Sequence, residues 1–160
     1  MIIREEAPND RPQIRELVRA AFGRMAEAYL VEQLRAEGDS IIALVAVEQA
    51  WIIGHVMLSN MVASFKALGL GPVSVRPDRQ RLGVGSALIR EALSQARQEG
   101  WDAVFVLGNP SFYRRFGFDP ERAGGFTCPY AGPHLMALFM SNDLPRTGTI
   151  DYASAFAALL

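Results

Sequence analysis

The spacing of apolar residues changes along the chain and divides it into helical and extended segments. Residues 1–7 (MIIREEA) are typical of a short edge strand. The next apolar positions recur at i, i+3, i+4 and i+7, the period of an amphipathic helix. They are Ile14, Leu17, Val18 and Ala21. Asp10 is the expected N-cap of this helix, and Pro12 falls in its first turn. Residues 25–37 repeat the helical spacing, and Gly38 is the expected stop.

Three β-rich runs follow these helices. Residues 40–48 (SIIALVAVE) and 51–63 (WIIGHVMLSNMVA) are separated by only two residues, Gln49 and Ala50. So short a connection predicts an antiparallel hairpin, although neither residue is a favoured turn former. The third run, residues 66–75, ends just before a proline, which prevents the simple continuation of a strand.

The second half of the chain alternates helix and strand. A helix is expected over residues 84–98, after a turn that contains two glycines. Residues 101–108 (WDAVFVLG) form a continuous apolar run, which is typical of a strand buried on both faces. Residues 109–117 predict a short helix, and residues 134–142 (HLMALFMSN) predict a last strand.

The order of these elements predicts a mixed sheet. The helix over residues 84–98 connects two strands, so the strands should be parallel neighbours with a crossover between them. The earlier hairpin is antiparallel. We therefore expect an α/β fold built on one mixed sheet, with residues 1–160 as a single domain. The tail from Leu144 is moderately apolar and matches neither period.

Charge and composition exclude several classes of function. The formal net charge of the 160 residues is −1, which gives no general attraction to nucleic acid or to an anionic membrane. No apolar run approaches the roughly 18 residues of a membrane span, and the N-terminus does not resemble a signal peptide. The single cysteine, Cys128, and the two histidines, His55 and His134, lack the spacing of metal ligands. We expect a cytoplasmic globular protein without a metal.

Two glycines stand where the central helix should begin. Gly83 and Gly85 are separated by one residue, in the run RPDRQRLGVGSALIR. The first N–H groups of a helix have no intrahelical partner, and glycine lets a ligand approach the backbone closely. With Arg79, Arg81 and the hydroxyl of Ser86 nearby, the turn is suited to bind a phosphate. A plain strand-to-helix junction would also explain the glycines.

Two familiar phosphate-binding motifs do not match this turn. A Walker A loop needs G-x-x-x-x-G-K-[ST], and the turn contains no lysine. A dinucleotide fingerprint needs G-x-G-x-x-G, but Leu88 stands where the third glycine belongs. These mismatches disfavour a protein that binds ATP or NAD through Gly83 and Gly85.

The turn instead resembles that of the GNAT superfamily of N-acetyltransferases. Residues 80–85 (QRLGVG) match its pyrophosphate-binding pattern, [Q/R]-x-x-G-x-[G/A]. A second run, VFVLGNPSFYRRFGF, is similar to the family's buried strand and short helix ending in Tyr-x-x-x-Gly-Phe. Together the two runs resemble a subgroup of predicted bacterial acetyltransferases of unassigned substrate. The expected fold is the GNAT fold, with a central mixed sheet that splays between two parallel strands and is flanked by helices.

The resemblance implies acetyl-CoA as the acetyl donor. The backbone N–H groups of the turn would hold the coenzyme A pyrophosphate. The pantetheine arm would pair with the main chain of Val73 and Val75 in the gap between the splayed strands. Asn109 would bond the arm, or would instead cap the short helix that follows it. The residues so assigned are Val73, Ser74, Val75, Arg81, Leu82, Gly83, Val84, Gly85, Ser86 and Asn109.

The same resemblance assigns the chemistry to Tyr113. The acceptor amine attacks the thioester directly, and a phenol with an ordinary pKa near 10 is protonated at neutral pH and can donate to the departing thiolate. A core aromatic is the alternative role for this residue. Glu27, Glu48 and His55 lie in segments that could face the cleft, but nothing in the sequence identifies one of them as a general base.

The acceptor should be an amine of a small molecule or of a protein. Its site is expected among residues 10–38, 59–66 and 121–134, with Phe126 and Tyr130 of the last stretch forming a partly apolar wall. The sequence contains no acidic cluster of the kind that would bind a polycationic acceptor. An alternative function is a non-catalytic acyl-CoA-binding module with the same fold. The apolar tail IDYASAFAALL is suited to a homodimer interface or to the core.

Overall fold

A mixed β-sheet forms the centre of the fold, and helices cover both of its faces. The computed structural model describes residues 1–159. Its helices and strands, in chain order, are β1 (Ile2–Glu5), α1 (Arg11–Phe22), α2 (Ala26–Ala36), β2 (Ser40–Glu48), β3 (Trp51–Val62), β4 (Ala67–Val75), α3 (Val84–Gln98), β5 (Ala103–Leu107), α4 (Pro110–Tyr113), α5 (Pro120–Ala123), β6 (Phe126–Thr127), β7 (Leu135–Phe139), β8 (Gly148–Thr149) and β9 (Asp151–Tyr152).

The sheet has the mixed topology expected from the sequence. Its strands follow the order β1-β2-β3-β4-β5-β7, and β9 pairs with the end of β3. Within this order β4 and β5 are parallel and their neighbours are antiparallel. The edge position of β1, the β2–β3 hairpin and the crossover through α3 are all confirmed. The short strands β6 and β8 pair with each other outside this sheet.

Each face of the sheet has its own apolar core. On one face, α1 and α2 bury the residues of their apolar stripes, among them Ile14, Leu17 and Leu34. On the other face, α3 buries Leu88 and Ile89 against the same strands. The apolar residues that recur at helical spacing in the sequence are therefore the ones that the helices bury against the sheet.

The C-terminal tail belongs to the core of this chain. Strand β9 and a 3-10 turn over Ser154–Ala158 follow β7, and both lie against the α1–α2 face. Tyr152 and Phe156 are buried there, with their ring centroids 5.0 Å apart. The sequence suggested either a homodimer interface or the core as the role of the tail. These contacts support packing into the core, through a 3-10 turn.

Asp10 stands at the N-cap position of α1, but its side chain does not cap the helix. The backbone of Asp10 is already helical, with φ −79° and ψ −18°, because a 3-10 turn over Pro8–Asp10 precedes α1. Its carboxylate accepts from the Ala7 N–H at 2.7 Å and from both terminal nitrogens of Arg4. The expected cap is therefore wrong, and the carboxylate closes the preceding turn instead.

Candidate active site

Strands β4 and β5 separate at their carboxyl ends. They are paired only from Ala67 to Leu70 on β4. Beyond that point β4 stays paired with β3, and the Arg76 N–H donates to the Ile53 carbonyl at 2.8 Å. Because backbone groups alternate in direction along a strand, the N–H and C=O groups of Val73 and Val75 face the gap. The Gln80 side chain donates to the Val75 carbonyl at 3.1 Å.

The glycine turn places unpaired N–H groups at the end of this gap. Gly83 is the N-cap of α3 and has a left-handed backbone, with φ 86°. The first helical hydrogen bond runs from the Ala87 N–H to the Gly83 carbonyl, at 3.0 Å. The N–H groups of Val84, Gly85 and Ser86 precede that bond and have no partner within the helix. The positive end of the α3 dipole adds to their attraction for an anion.

The packing of the fold does not require glycine at position 85. A Cβ built on Gly85 would lie 3.5 Å from Val75 Cγ2 and 3.8 Å from Val73 Cγ1, which are ordinary contacts. The backbone of Gly85 is helical, so a larger residue would not be strained. What a Cβ would change is the space above Val73 and Val75, where the gap opens.

A cavity of about 500 Å³ occupies the gap beside the turn. Its lining consists of Ala21, Phe22, Val73, Val75, Arg79, Gln80, Arg81, Gly83, Val84, Gly85, Ser86, Phe112 and Arg115. Seven of the ten residues assigned to acetyl-CoA from the sequence are among them. The cavity combines free backbone donors, unpaired strand backbone and arginines, which are the groups that bind a pyrophosphate and a chain of amides.

The other three assigned residues do not line this cavity. Ser74 is buried and turned to the opposite side of β4, as the alternation of a strand requires. The side chain of Leu82 is 70 % exposed. Asn109 caps α4, since its Oδ1 accepts from the Ser111 N–H at 2.9 Å. The sequence allowed two roles for Asn109, and the structure shows its side chain in the second of them, as the cap of the short helix.

The arginines that supply positive charge to the cavity are only partly the ones expected from the sequence, which were Arg79 and Arg81. Arg79 is ion-paired with Glu48 at 3.0 Å and with Asp78 at 3.2 Å. Arg81 and Arg115 form no ion pair with any residue in the described range 1–159. Arg115 was missed in the sequence, where it is one of two adjacent arginines in the short helix run YRRFGF. Its guanidinium lies 4.7 Å from the centre of the Phe112 ring.

A second cavity, of about 310 Å³, opens where β4 and β5 part. It shares Phe22 and Val73 with the first cavity, so the two are neighbours. Its lining consists of Phe22, Glu27, Leu30, Leu70, Gly71, Pro72, Val73, Leu107, Tyr113, Tyr152, Phe156 and Leu159. Helices α1 and α2, the strand ends and the C-terminal tail all contribute to its wall.

Tyr113 lines this second cavity and is held in a fixed position. Its ring packs edge-on against Phe112 and Phe118, at centroid distances of 5.0 and 6.0 Å. It also covers Gly108, where any Cβ would overlap the tyrosine ring. Burial raises the pKa of Tyr113 above its ordinary value of 10. The phenol therefore keeps its proton throughout the neutral and mildly alkaline range.

Of the three side chains considered as general bases, two carboxylates and one imidazole, only one lines a cavity. Glu48 is paired with Arg79, and it lines neither cavity. His55 is fully buried and bonded to Glu6 at 2.8 Å, also outside both linings. Glu27 lines the second cavity, is 4 % exposed and is paired with Arg24.

Two of the segments expected around the acceptor lie elsewhere. Neither residues 59–66 nor residues 121–134 line the two cavities. Phe126 is in the core, with its ring centroid 5.6 Å from that of Phe105, and Tyr130 packs on Tyr152. Phe126 and Tyr130 therefore line neither cavity. The C-terminal tail contributes Tyr152, Phe156 and Leu159 to the second cavity, and its short irregular elements carried no periodic signal in the sequence.

The described residues contain no group of three histidine, cysteine, aspartate or glutamate side chains placed to hold a metal ion. None of the helices within residues 1–159 has the length and apolar character needed to cross a membrane.

Comparisons with known proteins agree with this geometry. Residues 3–120 match the family model described as an acetyltransferase (GNAT) domain. The chain is 32 % identical to the uncharacterized N-acetyltransferase YhbS of Escherichia coli, covering 98 % of both chains. The crystal structure of YhbS in complex with CoA superimposes with a TM-score of 0.90, at 30 % identity, and covers 98 % of this chain and 91 % of YhbS. A GNAT family acetyltransferase from Brucella melitensis in complex with acetyl-CoA gives a TM-score of 0.84 at 36 % identity, over 97 % of both chains.

Proposed function

Because the chain belongs to the GNAT family and is an N-acetyltransferase that uses acetyl-CoA, we propose that its two neighbouring cavities divide the substrates between them. The first cavity binds the coenzyme A portion of acetyl-CoA, and the second receives the acetyl group and the amine acceptor. Residues 1–160 act as one catalytic domain. A cytoplasmic location and a homodimer stay predictions from the sequence.

The proposal for the first cavity rests on its unpaired backbone groups. The N–H groups of Val84, Gly85 and Ser86 bind the pyrophosphate, and Arg81 and Arg115 supply positive charge beside it. The amides of the pantetheine arm pair with the main chain of Val73, while the Val75 carbonyl is shared with Gln80. Leu82 contributes only its backbone to the turn, since its side chain points into solvent.

The proposed chemistry places Tyr113 at the thioester. The acceptor ammonium first loses one proton to water. Its neutral nitrogen then attacks the carbonyl carbon of the thioester, a carbon–nitrogen bond forms and the carbon–sulfur bond breaks. Tyr113 donates its proton to the departing sulfur, and the nitrogen loses one proton, which returns to the phenol through water. The products are an N-acetylated amine and free coenzyme A. Burial raises the pKa of Tyr113 above its ordinary value of 10, so the donor is protonated before each turnover.

The observation that carries the proposal is that the two cavities are neighbours, with Phe22 and Val73 lining both of them. It joins the predicted cofactor turn to the predicted acid. The test is to incubate the protein with acetyl-CoA labelled in the acetyl group and a panel of primary amines, and to follow label in the amine and release of free thiol. We expect equal amounts of acetylated amine and coenzyme A. Binding of acetyl-CoA without any acetylated product would instead favour the non-catalytic acyl-CoA-binding module.

A further inference from the structure

We propose that the acceptor is a small primary amine on an apolar or aromatic body, with its ammonium group at Glu27. This inference rests on the proposed function, in which the second cavity receives the acceptor. It specifies the substrate class, which neither the family match nor the sequence determines.

The carboxylate of Glu27 is an unusual group for the interior of an apolar cavity. Glu27 is 4 % exposed, whereas its partner Arg24 keeps 60 % of its side chain exposed. Burial of a carboxylate is costly unless cations or donors compensate for the lost water. Arg24 contacts both carboxylate oxygens of Glu27, with its Nε 2.9 Å from Oε1 and its Nη2 bonded to Oε2. Each carboxylate oxygen has a further acceptor position, and a cationic acceptor in the cavity would donate to one of them.

The rest of the wall is suited to an apolar body. Leu30 on α2, Leu107 at the end of β5 and Phe156 in the tail are all part of the lining. Phe22 and Leu159 add to this apolar lining. The volume of about 310 Å³ is at the lower end of the range for small-molecule sites. A ligand with one ring or a short branched chain matches that space.

The distribution of charge disfavours a polyamine. Among the described residues of the second cavity, Glu27 is the only acidic one, and no basic residue lines it. A second ammonium group would therefore be placed against leucine and phenylalanine side chains without a counter-ion. Such burial is unfavourable, so each additional charge on the acceptor should weaken binding. A lysine side chain of a protein carries one charge, and the experiment below distinguishes it.

The test compares three probe acceptors under steady-state conditions with saturating acetyl-CoA. They are 2-phenylethylamine, spermidine and a short peptide with one internal lysine. We expect the wild-type kcat/KM for 2-phenylethylamine to exceed that for each of the others by about tenfold or more. In Glu27→Gln, the KM for 2-phenylethylamine should rise about tenfold or more, with a smaller change in kcat.

A matched variant controls for the change of helix charge. Glu32→Gln makes the same substitution on the same helix, at a half-exposed glutamate that pairs with Arg15 and lines neither cavity. Its kinetic constants should stay within about twofold of wild type. The KM for acetyl-CoA should be unchanged in both variants, because Glu27 lines only the second cavity.

Three results would overturn the inference. They are a preference for spermidine or for the peptide, no acetylation of 2-phenylethylamine by a protein that still binds acetyl-CoA, and an unchanged KM in Glu27→Gln. Each of them leaves the cofactor site intact. Failure of the wild type to bind acetyl-CoA in a calorimetric titration would overturn the proposed function itself, and the acceptor assignment with it.

Discussion

Tyr113 is the residue whose environment most directly supports a chemical role. Its ring is fixed by neighbouring aromatic rings, and burial raises its pKa. Tyr113→Phe keeps the packing and removes only the hydroxyl. We expect kcat to fall about 100-fold, within the range for loss of a general acid, and the KM for acetyl-CoA to change little.

The pH profile provides a second check on the same residue. A proton donor must stay protonated, and the pKa of Tyr113 lies above its ordinary value of 10. The wild-type kcat should therefore show no loss from deprotonation of this group up to about pH 9. A Tyr113→Phe enzyme with the wild-type kcat would show that the tyrosine serves only for packing.

At the residue scale, the sequence was most informative where backbone conformation restricts the residue type. The spacing of Gly83 and Gly85 identified the turn, and both lie on the cavity. Side-chain direction was harder to predict. Arg79 lines the first cavity but is ion-paired with Glu48, which is 31 residues away in the chain, whereas Arg115 lines the same cavity without an ion pair among the described residues. Such long-range pairs leave no periodic trace in a sequence.

The β2–β3 hairpin is an element whose turn is not optimised. Gln49 and Ala50 both have positive φ, at 50° and 69°, where residues with a Cβ are strained. Asn-Gly is the preferred sequence for such a two-residue turn. The double substitution Gln49→Asn and Ala50→Gly should therefore raise the free energy of unfolding by about 1 kcal/mol.

Urea denaturation measures this effect, and acetyl transfer serves as the control. The turn residues line neither cavity, so the kinetic constants should not change. A free energy of unfolding equal to or below the wild-type value would contradict the assignment of strain to this turn.

At the element scale, the sequence predicted every strand and helix that is long enough to display a period. The strands of two residues and the one-turn helix α5 were missed because such short segments show no clear alternation or helical repeat. The equally short helix α4 was predicted from Asn109 and Pro110 at its start and from the family resemblance. The tail is positioned by the burial of Tyr152 and Phe156 against the α1–α2 face, which is a tertiary contact. The wall that the tail contributes to the second cavity was consequently not predictable from local pattern.

At the scale of the whole molecule, a buried polar cluster joins three elements. Glu6, which follows β1, accepts from Arg35 on α2 at 2.7 Å and bonds His55 on β3 at 2.8 Å. Burial raises the pKa of Glu6, but the hydrogen bonds from His55 and Arg35 outweigh it and hold that pKa at about 2. Burial also lowers the pKa of His55 from 6.5, so the ring is neutral at pH 7 and Nε2–H donates to the carboxylate.

The cluster makes the stability of the fold sensitive to acid. Both pKa values are lower in the folded protein, so the unfolded chain binds protons more readily. The free energy of unfolding should be constant above about pH 7, start to fall as the pH drops through 6.5, and fall further between 4.5 and about 2.

Denaturant titrations between pH 8 and pH 3 measure this dependence. Glu16→Gln is the matched control, because Glu16 forms an exposed ion pair with Arg19 and should contribute little to the slope. A free energy of unfolding that stays constant from pH 7 to pH 4 would contradict the role assigned to Glu6 and His55.

The central claim is that acetyl-CoA lies in the first cavity, with its pyrophosphate against the N-terminus of α3. Calorimetric titration with acetyl-CoA tests it most directly, on the wild type and on Gly85→Glu. The added Cβ makes only ordinary contacts in the fold, so the variant should fold, but its side chain adds bulk and negative charge where the pyrophosphate should lie. Ser94→Glu, which adds the same charge at an exposed position on the same helix that lines neither cavity, is the control. We predict that the wild type and Ser94→Glu bind with similar affinity and that Gly85→Glu binds about tenfold more weakly or worse. Equal affinity of Gly85→Glu and wild type, or no binding by the wild type, would contradict the account.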